Sequence, residues 1–234
     1  MRSIRNVCVC VTGGAGFAGS HMVNYLIEER GCKVLVLDNL VAGKKEFIHP
    51  DAIFEHVDIT QSESYLRRLF TKYQVQYVTA FAASPYIPVS FERPLFVFNT
   101  NAVGALMCLN AAQDAECEGF LQISSAELYG HRPLSSQRMV EPGELVVDDS
   151  HKLRHITEED PVIPHSSYGA AKAAIDHLIQ VRWKESGMKA IALRQFNLVG
   201  ERETHPYVIP EIISQIEWHD TKCIGGPPTI NLGN

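Results

Sequence analysis

Short, continuous apolar runs alternate along the chain with stretches of helical spacing. Residues 7–11, 33–37, 53–57, 77–83, 120–124 and 190–196 read as strands, several of them apolar on both faces as in a buried parallel sheet. Between them, residues 17–30 carry Phe17, Met22, Val23, Leu26 and Ile27 at helical spacing, and helices are predicted over 65–73, 95–115 and 168–185. Strand and helix in turn define an α/β fold built on a doubly wound parallel sheet. Residues 132–157 break the pattern. They are polar, charged and too long for an ordinary connection, so an inserted excursion or lid is expected near 131–157. The final stretch, 223–234, is rich in Gly and Pro and reads as a loop with a short strand. The expected division is a main domain over 1–200 and the start of a smaller lobe over 201–234.

Composition narrows the class without naming a function. The chain has 234 residues, 45% hydrophobic and 21% charged, enough for one large buried core. A net charge of −6 argues against a broad nucleic-acid or acidic-lipid surface. Six cysteines are scattered with no C-x-x-C pair, and buried free thiols are the expectation. Arg2 and Arg5 lead into a strand rather than a leader, and no apolar stretch is read as spanning a bilayer. A cytoplasmic protein with no membrane partner follows from that reading.

Candidate chemistry starts where the first strand ends. Gly13, then Gly14-x-Gly16-x-x-Gly19, open the first helix. Such glycines allow a tight turn and a close approach of backbone to a pyrophosphate, which the helix N-terminus favours electrostatically. Asp38 ends the second strand nineteen residues after Gly19, where a carboxylate can accept both adenosine ribose hydroxyls and repel a 2′-phosphate. Dinucleotide binding with NAD favoured over NADP is the reading, although Lys44 and Lys45 keep phosphate tolerance open. Tyr168 and Lys172 lie four residues apart on one helical face. Positive charge beside a phenol lowers its reference pKa of ~10 toward a useful base, while a surface tyrosine beside a solvated lysine is the plain alternative. Ser84 and Tyr86, in a proline-stiffened loop after the fourth strand, stand where open α/β sheets bind ligands. Arg202 is a candidate phosphate partner in a charged loop. His151 and His155 have i, i+4 spacing beside Asp148 and Asp149, but no ligand set completes a metal site there, and none is expected.

Taken together, Thr12-Gly-Gly-Ala-Gly-Phe-Ala-Gly19, Asp38-Asn-Leu40, Asp58-Ile59, Ser124-Ser-Ala-Glu-Leu-Tyr-Gly130, Tyr168-x-x-x-Lys172 and Leu193-Arg-Gln-Phe-Asn197 resemble the extended short-chain dehydrogenase/reductases, in their NAD-dependent sugar-nucleotide epimerase/dehydratase branch. The resemblance implies a Rossmann domain with bound NAD contacted by Gly13, Gly16, Phe17, Ala18, Gly19, Asp38, Asn39, Asp58, Ile59, Phe81, Ala82, Ala83, Asn101, Ser124, Tyr168 and Lys172. It implies Tyr168 as the base for a sugar hydroxyl, Lys172 and Ser125 as its helpers, and Asn197 on a nucleotide-sugar diphosphate. A hydride leaves sugar C4 and later returns within the cycle, by way of a 4-keto sugar. Glu127 falls where the family's dehydratases carry the base that removes the C5 proton, whereas Ala126 replaces the aspartic acid that glucose-type dehydratases use as the acid. That pair leaves 4,6-dehydration narrowly ahead of C4 epimerisation, with a non-catalytic NAD-binding protein behind both. Relatives continue beyond Asn234, so a fragment or a truncated substrate-binding segment is expected. Relatives also pair through two long helices, which implies a homodimer.

Overall fold

The computed structural model describes residues 7–130, 133–134, 138–139, 156–203 and 207–221. Six parallel strands form the main sheet: β1 (Cys8–Thr12), β2 (Lys33–Asp38), β3 (Ile53–His56), β4 (Tyr77–Ala80), β5 (Gly119–Ile123) and β8 (Ala190–Leu193). Their order is β3-β2-β1-β4-β5-β8, so the chain reverses its direction of travel across the sheet between β1 and β4. That switch point opens a crevice at the carboxyl ends of the strands, where this architecture binds ligands. A separate antiparallel pair, β6 (Pro133–Leu134) with β7 (Arg138–Met139), lies in the expected insertion. The rest of that excursion through residue 155, with His151, His155, Asp148 and Asp149, lies outside the described residues, as does 223–234.

Alternation along β1 explains the two layers of core. Cys8 and Cys10 pack on one face with Leu35, Leu37, Leu66, Phe70, Leu109 and Ile179. Val9 and Val11 pack on the other with Val23, Leu26, Val34 and Val36. The first layer is closed by α2 (Glu63–Tyr73) and α5 (Ala105–Asp114), the second by α1 (Phe17–Asn24) and the π-turn Tyr25–Glu29 that continues it. Helix α2 begins at Ser62, whose hydroxyl accepts the Tyr65 N–H at 3.2 Å, and stops where Gln74 turns left-handed. Burial pushes the Cys108 and Cys117 thiols up to about 12, so they behave as core hydrophobes rather than nucleophiles.

Several elements differ from the sequence pattern. Residues 84–90 do not form a loop throughout: α3 (Ile87–Glu92) begins there, followed by α4 (Pro94–Phe98) and a π-turn, Asn99–Gly104, leading into α5. The helical stretch Pro94–Asp114 is long and apolar enough to cross a membrane by length and composition, against the expectation of no such stretch. Half of its most apolar window is buried, and it packs against α2 and α6 (Ser167–Ser186), the work of a core helix. β4 and β8 each end three residues before the limit the apolar runs predict. The helix α7 (Val208–Thr221) has no counterpart in the sequence reading. The chain divides into two compact units, Met1–Phe196 and Asn197–Asn234, and α7 belongs to the second.

Candidate active site

The turn after β1 is built by Gly13 rather than Gly14. Gly13 has φ +71°, and a Cβ there would stand 2.6 Å from the Ala82 nitrogen. Gly14 lies against the Val36 side chain instead, and a Cβ on Gly19 would fall 2.1 Å from the Gly13 carbonyl oxygen. Gly16 differs from both: a Cβ there would meet only that same carbonyl oxygen, at 3.3 Å. The missing side chain at Gly16 therefore opens space at the start of α1, where no side chain caps the helix and no acid occupies its first turn. Phe17, Ala18 and Gly19 form that first turn. Exposed N–H groups at a helix N-terminus, with the positive end of its dipole, suit a pyrophosphate. Thr12 ties the two crossing loops together: its carbonyl accepts the Phe81 N–H at 3.0 Å and its hydroxyl the Ala82 N–H at 3.3 Å.

Asp38 is buried at the end of β2, its carboxylate accepting N–H groups from Ala15 at 3.0 Å and Leu40 at 2.8 Å. A carboxylate offers about four lone-pair sites, so these two bonds orient the group and leave acceptor capacity for a ribose diol. Gly43 passes so close that a Cβ would lie 2.8 Å from Asp38 Oδ1. Next to it, Asn39 donates to Asp58 at 3.1 Å, and Asp58 also accepts the Thr60 N–H and hydroxyl. Burial acts to raise the Asp58 pKa, but these donors outweigh it and hold the carboxyl below its usual range. Ile59 is buried against Gly104 of the π-turn. Asn101, in the same π-turn and almost wholly buried, accepts the Ser84 N–H at 2.7 Å and donates to the Ser84 carbonyl at 3.0 Å. Its amide thus fixes the loop after β4, carrying Phe81, Ala82, Ala83 and Ser84 past the crevice. Tyr86, half-buried, stands just before α3.

The acid–base residues meet on the far side of the switch point. Ser125, two residues past β5, caps the short 3₁₀ turn Ala126–Tyr129, its hydroxyl accepting the Glu127 N–H at 3.2 Å. Tyr168 and Lys172 lie one turn apart on α6, both buried, with the Lys172 nitrogen 5.9 Å from the Tyr168 ring centre. Lys172 donates to the Ile123 carbonyl at 2.8 Å, and burial lowers its pKa to about 8. The Tyr168 phenol is raised: burial dominates, the Ser125 hydroxyl bonded to it works the other way, and the Glu127 charge raises it further. The lowering expected from sequence needs the nicotinamide charge as well as Lys172, and in the protein alone burial dominates. Ser124 is buried beside this set, and its hydroxyl makes no hydrogen bond among the described residues.

Sequence reasoning missed Asp176 and Arg194. Arg194 makes a two-pronged pair with Asp176, at 3.0 and 2.8 Å, and reaches the Tyr129 hydroxyl at 3.0 Å and the Glu158 carbonyl at 3.1 Å. The Arg194 guanidinium is raised mainly by its bonds to Asp176; the Asp176 carboxyl is pushed up by burial but held below its usual range, chiefly by Arg194. The signal was present in outline, since Asp176 continues the Tyr168–Lys172 stripe at i+4. Asn197 and Arg202 lie in the second unit, Asn197 exposed and Arg202 with φ +70°.

Comparison with known proteins was made against this geometry. The profile described as "NAD dependent epimerase/dehydratase family" matches residues 9–226. A UDP-glucose 4-epimerase of Lacticaseibacillus casei is 30% identical over 214 residues, covering 88% of this chain and 58% of that protein. A dTDP-glucose 4,6-dehydratase of Escherichia coli is 32% identical over 219 residues, covering 87% and 56%. The solved structure of Thermus thermophilus UDP-glucose 4-epimerase in complex with NAD superposes with a TM-score of 0.67 at 32% identity, over 84% of this chain and 59% of that one. The chain thus spans less than two thirds of the length of the relatives it matches.

Proposed function

The chain belongs to the NAD-dependent epimerase/dehydratase family, and from that membership we propose that it carries the catalytic half of a nucleotide-sugar 4,6-dehydratase. NAD is the cofactor, and the cradle at Gly13, Gly16 and Gly19, with Asp38 beyond it, fits a dinucleotide. When bound, NAD supplies a hydride acceptor and donor to the sugar. Tyr168 takes the proton of the C4 hydroxyl, steered by Ser125. A carbonyl at C4 makes the neighbouring C5 proton acidic, and a carboxylate next to the phenol is suited to remove it. Glu127 is assigned as that carboxylate: it stands in the 3₁₀ turn that Ser125 caps, its N–H on the Ser125 hydroxyl at 3.2 Å, the single observation that carries the dehydratase reading. With Ala126 unable to donate a proton, Glu127 returns the proton to the departing C6 hydroxyl, so the same group acts as base and then acid.

A second reading, C4 epimerisation, is favoured by Ala126, because inversion at C4 needs no carboxylic acid beside Ser125, and by the UDP-glucose 4-epimerase relatives at about the same identity. The purified chain incubated with dTDP-glucose and with UDP-glucose in heavy water separates the two. Deuterium at C5 with loss of water is expected, whereas an inverted C4 without C5 exchange would assign the epimerase.

The rest of the proposal concerns context. The substrate is a nucleotide sugar whose diphosphate meets Asn197 and Arg202. Two copies of the chain pair through the helical stretches 95–115 and 168–185, on which Leu95, Phe98, Val181 and Trp183 are exposed. The compartment is the cytoplasm, in keeping with five free thiols among the described residues.

A further inference from the structure

Glu127 has a basic neighbour that the acid–base set does not use. His165 Nε2 lies 3.8 Å from Glu127 Oε2, and both side chains are about three-quarters buried. That carboxylate oxygen is shielded from solvent and makes no hydrogen bond among the described residues, which leaves the imidazole as its ion-pair contact.

The two residues are held together by backbone rather than by chance of rotamer. Ile163 donates to the Leu128 carbonyl at 3.0 Å, binding the 163–165 strap to the turn that carries Glu127. Gly130, at φ +58°, lets the Ile163 carbonyl approach so closely that any Cβ would collide with it. Gly169 packs its backbone against the Glu127 carbonyl and Pro164, and Ser166 caps α6 through the Gly169 N–H at 3.0 Å. His165 is therefore pinned between Pro164 and the Ser166 cap of the 20-residue helix α6.

We propose that His165 is the positioning residue for Glu127, its imidazole pairing with the carboxylate and holding it in place until it takes a substrate proton. The inference rests on the dehydratase reading for the step it serves. In that step the C5–H bond breaks and its proton goes to Glu127. The electron pair forms the C5–C6 double bond as the C6–O bond breaks, and the oxygen leaves with its own pair. The Glu127 proton then passes to that oxygen, water departs, and the carboxylate–imidazole pair is restored.

Other groups around the turn are already committed. Tyr168 and Ser125 face Glu127 from α6 and β5, and Lys172 is bound to the Ile123 carbonyl. Arg194 is held by Asp176 and Tyr129 behind the turn, and Asp160 accepts the Thr157 N–H at 2.7 Å. His165 is the basic group that meets the carboxylate directly.

Two measurements test this. Carbethoxylation by diethyl pyrocarbonate, followed at His165 by peptide mass mapping, needs no substrate. Pairing should make His165 react about two- to fivefold more slowly in the wild type than in Glu127→Gln, the range for a partly exposed ion pair; equal rates overturn the pair. In heavy water with dTDP-glucose or UDP-glucose, His165→Gln should lower C5 exchange by about tenfold or more while nicotinamide reduction, read by fluorescence, stays within about twofold. His165→Lys, with a cation that persists to higher pH, should restore exchange and flatten the alkaline fall of its pH profile. Wild-type exchange and an unchanged pH profile in His165→Gln refute the role. C4 inversion without C5 exchange in the wild type would overturn the dehydratase reading instead, and the modification rates then decide the pair on their own.

Discussion

Lys172 is a charge taken out of water for a purpose other than stability. It is 3% exposed, bound to one carbonyl, and its pKa falls from 10.5 to about 8 through burial. Below about pH 8 the folded state carries the full cost of that charge, and the cost shrinks as pH rises from about 8 toward 10.5, where the unfolded lysine also loses its proton. Lys172→Met is therefore expected to stabilise the fold at pH 7, on the order of 1–3 kcal/mol in urea unfolding. That gain should fade between pH 8 and 10.5, and turnover should be lost at every pH; a gain independent of pH would contradict the assigned cause. Tyr168→Phe is the complementary test. It removes the proton acceptor without touching the glycine cradle, so turnover should vanish while NAD affinity, measured by calorimetry, stays within about threefold. Asp38, a carboxylate bound by two backbone N–H groups, is proposed to face the adenosine ribose. Asp38→Asn should narrow the preference for NAD over NADP by about tenfold or more in paired binding titrations, since only the charge changes.

Among the elements, the join between α6 and β8 depends on one ion pair. Asp176 is 1% exposed and Arg194 satisfies it from the strand end while bracing Tyr129 below Glu127. Arg194→Met leaves that carboxylate buried without its partner, and a loss of about 3–5 kcal/mol is expected in denaturant unfolding. A change below about 1 kcal/mol would mean that the pair is solvated. The π-turn Asn99–Gly104 matters for a different reason. It brings Asn101 to the backbone of Ser84 and sets Gly104 against Ile59, so one helical irregularity organises two loops of the crevice. None of this was legible in the periodicity of residues 95–115, because a π-turn shifts helical spacing by a single residue and leaves an apolar run looking continuous.

For the molecule as a whole, the parallel strands and the helices that flank them follow from features that are local in sequence. Apolar runs a few residues long, separated by helical spacing, define parallel strands with helices on both faces, and the glycines and Asp38 mark the crevice by position alone. Tyr168 and Lys172 were legible for the same reason, being one helical turn apart. What needed tertiary structure was every relation between residues distant along the chain. Gly13, not Gly14, makes the turn because the backbone of Ala82 passes beside it. Asn101, expected by position at the cofactor, is also found to hold the backbone of Ser84, a bond no local spacing announces. The phenol of Tyr168 is raised chiefly by burial, since burial and charge act through space and not along the helix. The sequence by itself determined which chemistry is present, because residue type and short-range spacing carry it. Only the fold decided which groups hold one another in place, and the contact between His165 and Glu127 is of that second kind.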